Sequence, residues 1–451
     1  MAAGTGHPTF GGRLSAPLTL TLEALARTLL LLRDHIRPEV PDGDLAAALL
    51  STRVALVGDH HNLQTQSAQQ ALVTTALLTA RSGASVHLVV PDLPLLGDQP
   101  PLRGDRLSGA LLDVLDDLIP GVKGVPELPS GPVDLALVVG DSPWSGSARR
   151  VIRLQADAWS GGLASGGGSR WDDYGSPFGA LASAGLAAGE CFKVAVRRLR
   201  PHALNHQALD ELFSPIGDAA VRLAPPGTPL PTGRLGTFDC VSGGAIIQAA
   251  LYALARLNDV TGDARVIEPE TAEPTNLNRY SLLRRSQTAA PKAVTLSKMR
   301  LGGIHITPVI ERYDARLRER LTPHAPAVLV GVDDIPSRWE VQAAQPHWLG
   351  VGATTHYSAM ASYHVAGLGC VRCLHPRDDP GAGPIPTVSF VSHWAGLWLA
   401  SLFARERIAA RPQRSEQSVY FTSLRADAPA ALWLAPVAAR ADCPFKCYGE
   451  E

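Results

Sequence analysis

Short, unbroken apolar runs that end in glycine or an acid, each followed by a helix-like stretch, recur along this chain. In the first half "VALVGD" (54–59) leads into "TQSAQQALVTTALLTA", and "SVHLVVPD" (85–92) and "VDLALVVGD" (133–141) follow. Continuous rather than alternating apolar residues mark strands buried on both faces, as in a parallel sheet covered by helices. The alanine-rich "FGALASAGLAAGECFKVAVRRL" predicts a closely packed late helix. After "APPGTPLPTG" the order restarts: "TFDCVSGG" (237–244), the helix-like "AIIQAALYALARL", "ARVIEPE" (264–270), "ITPVIERYD" and "AVLVGVDD" (327–334). "VSHWAGLWLASLFARERI" then mirrors the late helix of the first half. The pattern predicts an α/β protein with two Rossmann-like domains in tandem: 1–205, a proline-rich linker at 206–235, and 236–451.

Length and composition agree with this organisation. The chain has 451 residues, 45% hydrophobic and 18% charged, which is too long for one ordinary core and too apolar for disorder. A formal net charge of −1 argues against a mainly electrostatic nucleic-acid binder. The basic runs "RRVIR" (149–153) and "RRLR" (197–200) read as solvated helix faces. No stretch is read as long and apolar enough to span a bilayer, and the first residues lack the order of a secretory signal. The expectation is a cytoplasmic, reducing setting, in which six cysteines are poor candidates for disulfides.

The second half concentrates the chemistry. A strand, a glycine turn (Ser242, Gly243, Gly244), a helix and a second strand ending in Glu268 and Glu270 form the outline of a nucleotide-binding unit. Glycines let the backbone approach phosphate, the helix N-terminus stabilises negative charge, and the acid hydrogen-bonds ribose. On this much, a nicotinamide-dependent dehydrogenase fits equally well, and so do two exposed acids at a strand end. The cysteines pair as "CVRC" (370–373) and "CPFKC" (443–447), a spacing open to redox work or to metal. Four thiolates suit a closed tetrahedral zinc site that pins the C-terminal tail.

"EPETAEPTNLNRYSLL" (268–283) resembles the D-x-D-x-V-E-x-S-N-L-N-R signature of the ubiquitin-activating superfamily, which includes ThiF, MoeB and HesA. Lys292 in "APKA" stands at that family's lysine, and "VDDIPSR" (332–338) places Asp333 and Arg338 on its D-N-x-x-x-R. The two cysteine pairs stand where the family binds structural zinc. The resemblance covers roughly 236–451. It implies an ATP-dependent adenylyltransferase acting on the C-terminal carboxylate of a ubiquitin-like protein or precursor peptide. Arg279 and Lys292 would supply cations to the phosphates, and Asp333 would hold Mg²⁺. Asn276 would hydrogen-bond phosphate or position Arg279, Glu268 and Glu270 would hold ribose, and Gly243 and Gly244 would lie beneath the phosphates. Cys370, Cys373, Cys443 and Cys447 would bind zinc, with His375 a loop residue beside them. The superfamily also implies a homodimer, a need the internal pair of domains would otherwise meet, and an arginine offered across it, for which Arg13 is the candidate.

The chain departs from the family in its "VSGGAI" turn, its glutamates for aspartates, Asp334 for asparagine and Tyr280 for glutamine. No cysteine follows the first zinc pair in the segment where thioester-forming members carry one, and Cys191 and Cys240 read as buried packing thiols. The expectation is adenylation without a thioester on this chain. The first half reads as a degenerate copy: "VGDHHNLQ" lacks a glycine turn, and Asp141 retains an acid without its neighbours. The competing expectation is a non-catalytic scaffold that binds a peptide or partner protein.

Overall fold

The computed structural model describes residues 16–128, 130–378, 383–445 and 447. Its first sheet is built from β1 (Arg53–Val57), β2 (Ser85–Val89), β3 (Gly124–Val125), β4 (Leu135–Val139), β5 (Val151–Ala156), β6 (Ser160–Ala164) and β7 (Ala219–Arg222). The second contains β8 (Gly233–Val241), β9 (Val260–Ile267), β10 (Gly303–Val309), β11 (Ala327–Val330), β12 (Trp348–Thr355), β13 (Ser358–His364), β14 (Ser418–Thr422) and β15 (Leu432–Ala435). The orders are β3-β2-β1-β4-β5-β6-β7 and β10-β9-β8-β11-β12-β13-β14-β15. In each sheet the first five strands of that order are parallel and the rest antiparallel. The chain is therefore two Rossmann-like α/β domains in tandem.

The apolar runs predict seven of the parallel strands, β1, β2, β4, β8, β9, β10 and β11, because burial on both faces leaves an unbroken hydrophobic signature, but not β3, β5 or β12. The antiparallel extensions were not foreseen. "RRVIR" is not a helix face but the entry to β5, and its cations are matched locally. Arg150 pairs with Glu190, while Arg153 donates to the carbonyls of Gly140 and Ser142, each at 3.0 Å. Arg198 of the second basic run reaches Asp134 at 2.6 Å, and Arg200 reaches Asp210 at 2.6 Å. The span read as a linker, 206–235, carries a helix (His206–Phe213) and β7, which completes the first sheet, and its last residues open β8. The connection proper is the proline-rich stretch between β7 and β8.

A single apolar core runs through both halves. It is formed where helices Gln66–Arg81 and Phe178–Arg198 of the first half pack on Ala245–Leu254 and Ser389–Ile408 of the second. Phe178–Arg198 is long and apolar enough to cross a membrane, which the sequence reading did not credit, but 94% of its apolar window is buried in the fold. Its composition is that of a central core helix: alanines and glycines admit close neighbours, and Gly185 lies against the Trp394 ring. The seam inside the second half is as tight. A Cβ at Gly396 would sit 2.4 Å from the Ala249 Cβ and 2.5 Å from the Ile246 carbonyl oxygen. Gly396→Ala should therefore destabilise the protein by about 1–3 kcal/mol through overpacking. The check is a lowered urea midpoint at unchanged slope, and an unchanged midpoint would refute it.

Candidate active site

In open α/β sheets the working crevice lies beyond the carboxyl ends of the strands, where the strand order reverses. Here Val241 is level with Ile267 on one side and Val330 on the other, so Ser242, Glu268 and Gly331 emerge together. Above them lies a cavity of about 370 Å³. It is lined by Ser242, Gly244, Glu268, Glu270, Arg279, Lys292 and Asp333. Residues spread over some ninety positions of sequence thus meet in one place, Gly243 lies just below, and Asn276 stands outside.

The thinned glycine turn is held by side chains. Ser242 takes a positive φ of 110°, an unusual backbone for a non-glycine residue, and its hydroxyl accepts from the Gly244 N–H at 2.9 Å. Glu268 is buried, and its two carboxylate oxygens accept from the Gly243 N–H at 2.7 Å and the Glu270 N–H at 3.0 Å. A Cβ on Gly243 would meet the Glu268 Cγ at 3.1 Å, so the close approach needs glycine. Glu268 is thus committed to the turn itself, which corrects its assignment to ribose. Gln248 completes the frame, donating to the Gly243 carbonyl at 2.9 Å.

Glu270 remains available, with its side chain 70% exposed, and it accepts from the Lys292 ammonium at 2.5 Å. Lys292 itself is 4% exposed. Burial opposes its charge, but Tyr280, Glu268 and Glu270 outweigh burial and raise the pKa above the ordinary value. The Tyr280 ring, a departure from the family pattern, lies within reach of both cations: Arg279 is 5.3 Å and Lys292 5.4 Å from its centroid. The Arg279 guanidinium donates to the carbonyls of Thr275 and, at 3.0 Å, of the Asn278 side chain. Burial lowers its pKa, and Tyr280 and Asp333 oppose that while Arg27 adds to it. Asn276 does not face this space. Its side-chain oxygen accepts from the Glu273 N–H at 2.9 Å, capping the turn whose backbone carries Arg279. The phosphate-contact role is therefore corrected, and what remains is support of the Arg279 turn.

Asp333 is exposed at the cavity mouth, two residues before a helix. Its neighbour Asp334 does a different job: it caps helix Ile335–Ala343 by accepting from the Ser337 N–H at 2.8 Å, with Arg312 at 3.8 Å. Arg338 is buried beneath this loop, donating twice to the Val332 carbonyl, at 3.1 and 2.9 Å. Its remaining nitrogen meets the His375 Nε2 at 3.2 Å. An arginine only donates, so that ring nitrogen accepts. Burial and Arg338 push the imidazole pKa down to about 4.

His375 stands just outside a cluster of four thiols. The Sγ atoms of Cys370, Cys373, Cys443 and Cys447 lie within 4.8 Å of one another. Neighbouring pairs are 3.2–3.9 Å apart, which matches the edge of a tetrahedron with Zn–S bonds of about 2.3 Å. The donor set fits zinc, and the longer spacing of the second pair does not prevent closure.

Sequence reasoning missed Arg27. It lines the cavity from the N-terminal helix Ala16–Arg33, and its guanidinium donates a long hydrogen bond, 3.4 Å, to the Ile385 carbonyl. A partly exposed arginine on an otherwise apolar helix face was the available signal. Arg13, the earlier candidate for such a role, lies outside the described residues. At the corresponding strand ends of the first half a cleft also opens beside Gly58, Val90 and Pro91, but side chains tie its loops together. Asn62 donates to Asp59 at 2.9 Å and Asp141 at 2.8 Å, and accepts from the Trp171 N–H at 2.7 Å. Burial would raise the Asp59 pKa, but hydrogen bonds from Asn62 and Ser142 hold it below the ordinary value.

Residues 53–212 match the family model described as the BilD N-terminal domain. The chain is 25% identical over 345 residues to the uncharacterized protein y4jF of Sinorhizobium fredii (strain NBRC 101917 / NGR234), covering 74% of this chain and 62% of that one. It thus spans less than two thirds of that relative. Among solved structures it is similar to E. coli MccB with MccA-N7isoAsn at 16% identity and TM-score 0.39, covering 47% of this chain and 67% of that one. It is also similar to selenomethionyl PaaA at 10% identity and TM-score 0.34, covering 42% and 60% of the two chains. The motif set of the second half thus resembles that of the ThiF-like superfamily, and the first half matches the BilD N-terminal domain over residues 53–212.

Proposed function

We propose that the second half adenylates a C-terminal carboxylate of a precursor peptide or ubiquitin-like protein, using MgATP and forming no thioester on this chain. The observation that supports this best is the cavity above the glycine turn, where Arg27, Arg279, Lys292 and Arg312 meet the exposed carboxylates of Glu270 and Asp333. In the reaction a carboxylate oxygen attacks the α-phosphorus of ATP, the α–β phosphoanhydride P–O bond breaks, and pyrophosphate leaves as the acyl-adenylate forms. Two anions must approach while charge grows on the leaving group, so fixed cations in a partly dry site are the main requirement. Arg279 and Lys292 meet it from buried positions, and Arg27 adds a charge from the first half. Bound Mg²⁺ would neutralise phosphate charge, with Asp333 as its protein ligand. Glu270, the one ribose candidate left free by the turn, would then hold the ribose hydroxyls.

Both cysteines outside the thiol cluster are unsuited to a thioester. Cys191 and Cys240 are buried away from the cavity, and burial pushes the Cys191 thiol up to about 12 and Cys240 higher still. The test is titration of MgATP into the full chain, then exchange of labelled pyrophosphate into ATP with peptides bearing a free C-terminal Gly-Gly carboxylate. Binding and peptide-dependent exchange are expected. No MgATP binding at millimolar concentration would leave the second reading, a partner-binding scaffold. That reading draws on the edge strand β15, where Trp433 is 61% exposed beside an unpaired backbone.

A further inference from the structure

The two halves exchange arginines across their seam. Helix Gln66–Arg81 follows β1, and helix Ala245–Leu254 follows β8, the strand in the same place of the second sheet. Each helix has a fully buried arginine at its carboxyl end, Arg81 and Arg256. Each arginine reaches into the other half, to the loop that follows the next strand. Arg256 donates to the Pro100 carbonyl at 2.8 Å, in the loop after β2. Arg81 donates to the carbonyls of Leu277 at 2.6 Å, Ser281 at 3.4 Å and Leu283 at 2.6 Å, in the loop after β9. Those three carbonyls bracket Arg279 and Tyr280, the two cavity residues of that loop.

The arrangement is not symmetric in strength. The Arg256 guanidinium donates once across the seam and once, at 3.0 Å, to the Tyr252 carbonyl of its own half, while its backbone carbonyl accepts from Gln70 at 3.2 Å. Among the described residues, the Arg81 guanidinium spends its hydrogen bonds on the opposite loop. No carboxylate lies within ion-pair reach of Arg81 among the described residues, so its charge is met by carbonyl dipoles alone. A buried arginine without a counter-ion is costly, and burial pushes its pKa down to about 9. Leucine or methionine would fill the same space more cheaply, whereas a planar fork of donors can gather carbonyls from both sides of a turn. The adjacent Asn278 side chain adds a second tie to the first half, donating to the Thr28 hydroxyl at 2.9 Å.

We infer that Arg81 is a positioning residue for the second-half cavity: it clamps the 277–283 loop so that Arg279 and Tyr280 face the nucleotide, which makes the first half a structural part of the site. The statement about the nucleotide rests on the proposed ATP reading, but the statement about the loop does not. Arg81→Met, Arg81→Lys and Arg256→Met, made in the full chain, separate the two. Amide hydrogen exchange without ligand should rise at 277–283 in Arg81→Met, whereas Arg256→Met should raise it around Pro100. MgATP titration of the same proteins should show about tenfold or greater weakening in Arg81→Met, an intermediate value in Arg81→Lys and wild-type affinity in Arg256→Met. Equal weakening by Arg81→Met and Arg256→Met would make both merely seam residues and overturn the inference. So would unchanged exchange at 277–283 in Arg81→Met. If wild-type protein binds no MgATP, the exchange pattern still decides the clamp. If Arg81→Met fails to fold, Arg81→Lys carries the same comparison.

Discussion

Asp333→Ala should abolish pyrophosphate exchange, with a loss of about 100-fold or more, while the protein folds and melts as wild type does. The magnitude follows from position. Asp333 is exposed at the cavity mouth and, among the described residues, Asp334 beside it is the carboxylate that the fold itself consumes, as the cap of helix Ile335–Ala343. The neighbouring substitutions should therefore separate by kind. Asp334→Ala should cost about 1 kcal/mol of stability through the lost cap and retain most exchange. Asp333→Ala should leave stability unchanged and lose exchange, because no second carboxylate at the strand end is free to hold the metal. Thermal unfolding and exchange rates measured on both proteins provide the check. Exchange by Asp333→Ala within a few-fold of wild type would sink the assignment.

The parts of this molecule that were legible in the sequence are those where a local pattern has one physical cause. Unbroken apolar runs ending in glycine or acid gave most of the parallel strands, since only burial on both faces produces them. The ordered motif from Glu268 to Asp333 named several of the polar residues that line the cavity, because residues at the ends of adjacent parallel strands meet whatever lies between them in sequence. The later strands were not legible: β5 alternates, β15 is largely exposed, and a run such as "RRVIR" looks the same on a helix or a strand. Side-chain roles inside the motif were also hidden. Glu268 and Asn276 carry polar atoms in a nucleotide-like pattern, but the fold spends those atoms on backbone N–H groups. Contributions from the first half, Arg27 and Arg81, follow no motif because they depend on how two domains pack.

Loss of a zinc ion held by the four thiols should reach farther than the C-terminal tail. Cys370→Ser is expected to abolish bound zinc, about one ion per chain in the wild type, and to lower the melting temperature markedly. Structural zinc contributes about 10–16 kcal/mol in small zinc-finger peptides, and here two of its ligands come from a C-terminal segment otherwise tied by few bonds. One of those bonds is the Val437 N–H to the Gln417 side chain at 2.9 Å. The first pair sits on the short helix Val371–Leu374, and the next residue, His375, supports the site loop in two ways. Its ring accepts from Arg338, which holds the Val332 carbonyl, and its own carbonyl accepts from the Trp339 indole at 2.9 Å. Two contacts in series, His375 to Arg338 and Arg338 to Val332, therefore join the segment after the first cysteine pair to the residue before Asp333. Loss of zinc should raise amide exchange at 332–338 as well as at 437–445, in protein that retains its remaining secondary structure. Elemental analysis and exchange on Cys370→Ser and on chelator-treated wild type should agree. Exchange that rises only in the tail would confine the metal to pinning it, and undiminished zinc in Cys370→Ser would remove the four-thiolate site altogether.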